Sequence, residues 1–227
     1  MKPPQPLHGW RAFAGEVGVI VLGVLLALGA QQAAQAWQER QDVAAFRQTI
    51  DHEIGMDLYA YLFRARQFDC DHRRLADMSA WLDRARTGSP MPALYPRTPV
   101  NIGISRSAWD SRDAETFRHL PADIRQNYAM FYDGVAVLDQ VSKSQRDFID
   151  RISGFAEPGA VSLADRRLLR AAIARLGPLV QVEEIDIGGE LGLGEQLGIK
   201  PVPQPGLPPD ILRKALRCSS VFDPPKT

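Results

Sequence analysis

Asp69, Cys70, Asp71 and His72 stand in a row and are residue types that ligate metals. On a helix, Asp69 and His72 are three apart and share a face, as two ligands of one ion should. A third ligand would have to come from elsewhere, with Asp51, Glu53 and His119 as candidates. No His-Glu-x-x-His run occurs, and a solvated, charged helix face explains the four residues better. Ser105, Ser107 and His119 have the types of a nucleophile and its base. Neither serine has the flanking glycines of a nucleophile elbow, so both are expected to cap helices. Gly192, Gly194 and Gly198 resemble a nucleotide loop only superficially, because the strand and helix that must flank one are missing. No catalytic residue, metal site or cofactor site is therefore assigned, and Asp69 and His72 stand as weak metal candidates.

The two cysteines, Cys70 and Cys218, are the strongest chemical signal. In an oxidising compartment such a pair is expected to form a disulfide. Two unpaired buried thiols or an intermolecular bond are the alternatives. The choice depends on the compartment, and that depends on the start of the chain.

From Val17 to Ala30 no charged or strongly polar side chain occurs. Fourteen apolar residues fall short of the roughly 20 that cross a bilayer, and the flanks Ala12–Ala14 and Ala33–Ala36 extend the run. Trp10 and Trp37 bracket it, about 40 Å apart along a helix, as membrane-interface anchors do. Lys2 and Arg11 precede the apolar core, whereas Glu39, Arg40 and Asp42 follow it as a mixed set. The basic excess predicts a cytoplasmic N-terminus and a body outside the cytoplasm. A cleavable signal peptide ending at Ala34-Gln35-Ala36 is the rival reading, and it leaves the body in the same compartment. Glu16 is an intramembrane polar residue, placed to reach the headgroups or to contact a partner helix. Gly15, Gly23 and Ala27 share a helical face that would permit close association of two such helices.

The remaining chain must form a body. Without Lys2, Arg11 and Glu16 it carries 25 basic and 26 acidic residues, a balance that gives no electrostatic case for nucleic acid. Residues 38–86 are predicted to be one helix, with Val43, Phe46, Ile50, Ile54, Leu58, Tyr61, Ala65, Phe68, Leu75 and Leu82 at three- and four-residue spacing. Gly55 is its weak point. Arg64, Arg66, Arg73, Arg74, Arg84 and Arg86, interleaved with acids, predict an exposed salt-bridged face. A proline-rich loop covers 88–104, and a short helix covers 105–117. A longer helix opens at Pro121, with Tyr128, Phe131, Val135, Leu138, Phe148, Ile152 and Phe155 on its stripe. Ser162 caps a helix over 163–176, which Gly177-Pro178 ends or kinks. Residues 179–198 are ambiguous, since apolar spacing favours helix and five glycines oppose it. A proline-rich tail follows, with a short helix over 209–217 and a fraying end. Trp81 and Trp109 are expected in the core.

No strand-like alternation stands out, so the fold class is all-α: an N-terminal transmembrane helix continuing into an antiparallel helical bundle. The expected segments are a cytoplasmic 1–9, a transmembrane 10–37, a periplasmic bundle over 38–200 and a Pro-rich tail over 201–227.

The membrane stretch followed by Gln-Gln and a charged helix resembles the start of a family of bacterial single-pass membrane proteins. Cys70-x-x-Arg-Arg-Leu75, Ser107-Ala-Trp-Asp110 and the Leu120-Pro121 helix with Tyr128 and Phe131-Tyr-Asp133 are similar too. The likeness covers most of residues 10–155. That family has no assigned activity, so the resemblance implies architecture alone; the expected location is a bacterial inner membrane.

The sequence is thus read as a non-catalytic, membrane-anchored periplasmic protein: a scaffold, accessory subunit or interaction partner, with homo-oligomers through the membrane helix as one arrangement. An envelope enzyme using Asp69 and His72, such as a metal-assisted hydrolase, is the alternative. A sensory module is another, and it would signal laterally to a second membrane protein.

Overall fold

A computed structural model describes residues 10–155, 160–206 and 208–224, with the backbone alone for 10–12 and 211. The described residues form α1 (Trp10–Ala65), α2 (Phe68–Arg84), α3 (Ser107–Asp110), α4 (Ala114–Arg118), α5 (Ala122–Ser153), α6 (Leu163–Leu197) and α7 (Pro209–Ala215). No strand occurs among them, and an isolated bridge pairs Pro90 with Ala160. The fold is all-α, with α6 packed against both α5 and α2.

The chain divides into two units. The first comprises Met1–Gln48 with Asp113–Leu120. Within it, Asp113 caps α4 by accepting from the Thr116 backbone N–H at 2.7 Å. The Phe46 and Phe117 rings meet edge-on at 6.3 Å. The second unit comprises Thr49–Arg112 and Pro121–Thr227. Its core follows from the apolar spacing: Ile50, Ile54, Leu58 and Tyr61 on α1, Tyr128, Phe131, Val135 and Leu138 on α5, and Leu169, Leu176, Val180 and Ile187 on α6 are all buried. Trp109 is buried too and stacks on Tyr132 at 4.7 Å.

Four elements differ from expectation. The helix over 38–86 breaks at Arg66 and Gln67, with neither proline nor glycine nearby. Buried Gln67 is the cause. Its Nε2 donates to Val100 O at 3.0 Å and its Oε1 accepts from Val100 N at 3.1 Å, tying the turn to the proline-rich loop. The helix over 105–117 is two helices, because Asp113 starts a new one. Residues 179–198 continue α6 unbroken through Pro178 to Leu197, and Gly198 closes it at φ 71°. Pro178 and Ala174, whose carbonyl loses its partner, are both exposed, so water can take that carbonyl. Gly194 is needed because a Cβ there would come within 2.5 Å of Leu58.

The fourth difference is the tail, which docks instead of fraying. Val221 is buried and its carbonyl accepts from Tyr95 N at 2.7 Å. Earlier in the tail, Val202 N donates to Gly55 O at 2.7 Å. Gly55 is therefore no mere weak point, since a Cβ there would stand 2.9 Å from Lys200 O and from Val202 Cγ2. Cys70 and Cys218 are joined by a disulfide, with Cα atoms 5.4 Å apart.

Candidate functional site

Glu53 and Asp57 occupy apolar-stripe positions of α1, between Ile50, Ile54, Leu58 and Tyr61. The helix register thus carries two carboxylates into the core, where both are buried. Four donors converge on Glu53. Its Oε2 accepts from Ser105 Oγ at 2.8 Å, Ser107 Oγ at 2.9 Å and Ala108 N at 3.0 Å. Its Oε1 accepts from Tyr132 Oη at 2.7 Å. Burial pushes the Glu53 carboxyl up, yet the bonds from Ala108, Tyr132, Ser105 and Ser107 outweigh it and hold the carboxyl below its usual range. So held, Glu53 is a weak base. Neither serine is activated by it, and the motif Ser107-Ala-Trp-Asp110 latches the loop onto α1. The two serines therefore do not cap helices through their side chains as expected. Nearby on α1, Asp51 accepts from the Tyr128 hydroxyl.

Asp57 and Glu190 are different. Asp57 Oδ1 accepts from Ser105 N at 3.0 Å, but its Oδ2 is buried without a partner. Burial pushes its pKa up to about 7, against the Ser105 bond and with help from Glu53. Glu190 reaches from α6 onto Gly134 of α5, where a Cβ would overlap its Oε1. Its Oε2 is likewise unpartnered, and burial, with Asp186 nearby, raises its pKa to about 8. Tyr61 Oη is buried and unpartnered as well, and burial first, then Glu190 and Asp57, push its ionisation up. The cluster is acid-rich, and burial leaves Glu190 mostly protonated and Asp57 about half protonated at neutral pH, which limits the bare charge in the core.

A second buried network lies two turns along α1. Arg64 donates through Nε and Nη2 to the two carboxylate oxygens of Glu183, at 2.9 and 2.6 Å. Through Nη1 it reaches Asp71 at 2.7 Å. Gln145 Nε2 donates to Glu183 at 2.8 Å, and the Arg64 guanidinium lies 4.5 Å from the Phe68 ring centroid. Burial opposes the Arg64 charge, but its bonds to Glu183 and Asp71 keep it firmly protonated. Arg64 is only 3 % exposed, and Arg74 is part-buried against Asp71, which corrects the reading of the arginines as one solvated face. The break at Gln67 starts α2 in a register that presents Asp71 to Arg64.

Beside this network is an open cleft of about 540 Å³. Its floor includes Arg64 and Glu183, and its walls include Tyr61, Ile102, Val135 and Ile187.

The residues singled out from sequence fall elsewhere. Asp69 and His72 are exposed on α2, and His72 Nε2 lies 2.9 Å from Glu184 Oε2 of α6. Among the described residues no three His, Cys, Asp or Glu side chains are grouped as metal ligands. His119 belongs to the first unit, where Gln35, Glu39 and Asp42 line a polar hollow with it. Trp109 is core, whereas Trp81 is half-buried against Phe222 at 6.3 Å. Glu16 and Trp37 are exposed on α1, and the Trp10 side chain and Lys2 lie outside the described residues. The buried residues Asp57, Arg64, Glu183 and Glu190 were not picked out as a site. A charged residue in an apolar slot was the available signal: 54-57-58-61-64 on α1 and 176-180-183-187-190 on α6 keep three- and four-residue spacing.

Among protein-family models, curated proteins and solved structures, none matches this chain.

Proposed function

We propose that this chain is a non-catalytic, membrane-anchored helical protein of the bacterial cell envelope, acting there as a scaffold, accessory subunit or interaction partner. One observation carries the reading. The apolar stretch of α1 has no cover: Val19, Ile20, Leu22, Leu25 and Leu26 are each more than half exposed, and none of the 18-residue apolar window is buried. A helix that is apolar all round needs either a protein core or a bilayer around it. The second unit already has a core of its own, so the bilayer is the solvent that suits this stretch. The disulfide fits a body outside the cytoplasm, and Lys2 and Arg11 favour a cytoplasmic N-terminus. The resemblance to bacterial single-pass membrane proteins agrees with both. The two buried networks favour a structural reading over a catalytic one, because Glu53 and Glu183 are saturated with donors and burial keeps Glu190 mostly neutral.

Topology tests the proposal. Alkaline phosphatase fused after residue 86 is active in intact cells if the body is extracytoplasmic. Fluorescence of a green fluorescent protein fused at the same point, with a silent phosphatase, would place the body in the cytoplasm and overturn it. Crosslinking in native membranes, followed by mass spectrometry, identifies the partner.

A further inference from the structure

We propose that the open cleft of the second unit binds a small molecule with an apolar body and an anionic head group. The inference stands on the second unit alone and does not depend on the membrane reading.

Three observations carry it. First, the size fits: at about 540 Å³ the cleft lies within the range of small-molecule sites, roughly 300–1,000 Å³. Second, its lining is mixed in the way such sites are. Ile102, Val135, Leu138 and Ile187 are buried around it and Ile104 is partly exposed, giving an apolar wall. Its floor is the Arg64–Glu183 pair, fixed by two hydrogen bonds and steadied by Gln145. A buried ion pair stabilises a fold weakly, since desolvation offsets the attraction. Its place on a cleft floor gives it a use, as a rigid polar surface that needs no rearrangement when a ligand arrives.

Third, the charges around the cleft leave a positive remainder. The lining carries Arg64, Arg106 and Arg146 against Asp139 and Glu183. Arg146 donates Nε to the Ser142 carbonyl at 3.3 Å and has no carboxylate partner among the described residues. Arg106 has Asp110, itself exposed, at 3.4 Å as its one ion-pair partner among the described residues. Two guanidinium groups with open donors over an apolar wall select a carboxylate or phosphate joined to a hydrocarbon body. A neutral apolar molecule would leave those donors unmatched, and a cation would be repelled.

The test uses the full chain in phosphatidylcholine nanodiscs, with 4-phenylbutyrate as probe and saturation-transfer NMR as readout. A probe this small is expected to bind with a Kd of about 1 mM. The matched alcohol, 4-phenylbutanol, should bind at least about tenfold more weakly. Arg146→Ala should weaken 4-phenylbutyrate by a similar factor and leave the alcohol unchanged. Ala136 is exposed and lines the cleft, so Ala136→Trp fills it without entering the core and should abolish saturable binding of both. Melting temperatures like that of the parent show that the variants are folded. If phosphatidylglycerol in the nanodisc competes with the probe, the natural anion is a lipid headgroup; if it does not, the ligand is soluble. Equal binding of acid and alcohol, or signals that Ala136→Trp and Arg146→Ala leave unchanged, would overturn the proposal.

Discussion

Replacing Glu190 with glutamine should make the protein more stable above neutral pH and affect it least in mild acid. Glu190 is buried against Gly134 with one carboxylate oxygen unpartnered, and its pKa stands at about 8 against 4.5 for a free glutamate. The folded state therefore keeps its proton where the unfolded chain has lost it. Below about pH 4.5 both states are protonated and the carboxyl contributes no penalty. Between about 4.5 and 8 the unfolded state gains from ionising while the folded state does not, so stability falls as pH rises. Above about 8 both states ionise and the fall stops. At 1.36 kcal/mol per pH unit, a window this wide is worth at most about 5 kcal/mol. For a body of this size that is at most roughly 10–20 °C in Tm. Asp57, raised from 3.8 to about 7, adds a second fall of the same sign that ends about one pH unit lower. Glutamine keeps the shape of Glu190 and cannot ionise. The assay is thermal unfolding of the full chain in nanodiscs at pH 5, 6.5, 8 and 9. Wild type and Glu190→Gln should differ least at pH 5 and diverge progressively, with the variant melting well above wild type by pH 8. Parallel curves across that range would refute the claim that Glu190 is buried and neutral.

Three further outcomes follow from the packing. Gly55→Ala should lower the melting temperature, because overpacking against Lys200 O and Val202 costs about 1–3 kcal/mol, more than the helix gains from losing glycine; a melting temperature at or above that of the parent would show that the tail does not sit on α1. Arg64→Ala strands Glu183 and Asp71 in the core and should cost about 3–5 kcal/mol by urea unfolding, whereas Arg64→Met with both Glu183→Leu and Asp71→Leu should recover much of it; equal losses in both would count against a buried network. Cys218→Ser opens a loop spanning 148 residues and should cost up to about 4–5 kcal/mol by urea unfolding, with the peptides of Cys70 and Cys218 joined in an unreduced digest of the parent and separate after reductant; two readily alkylated thiols in protein taken from cells would sink the bridge.

How much of this was legible depends on what kind of signal each residue carries. Ile50, Ile54, Leu58 and Tyr61 announce a buried stripe because their chemistry and spacing agree, and so does the run Tyr128, Phe131, Val135 and Leu138. Later on α5 the pattern fails for one polar residue. Phe148 and Phe155 drew the expected stripe, yet both are only half-buried, while Gln145 and Ile149 face inward. Gln145 looks like a surface residue until Glu183 is placed beside it. Glycines mislead in the same way: Gly194 reads as a helix breaker when only residue type is considered, and as a point of close approach once Leu58 is opposite.

The site shows the limit more sharply. Arg64 sits three residues after Tyr61 and seven after Asp57, inside the apolar stripe, but five other arginines nearby share its acidic neighbours and are not buried in this way. Local sequence cannot separate them, because what buries Arg64 is Glu183, 119 residues away. The turn that lets Asp71 reach it is set by Gln67 gripping Val100 across 33 residues. Glu53 depends on Ser105 and Ser107 in the same long-range manner, 52 and 54 residues on. Each of these polar residues is tolerated in the core only because a distant partner meets it. The apolar stripe is written locally and can be read locally, whereas a buried charge becomes visible only when both halves of the contact are known.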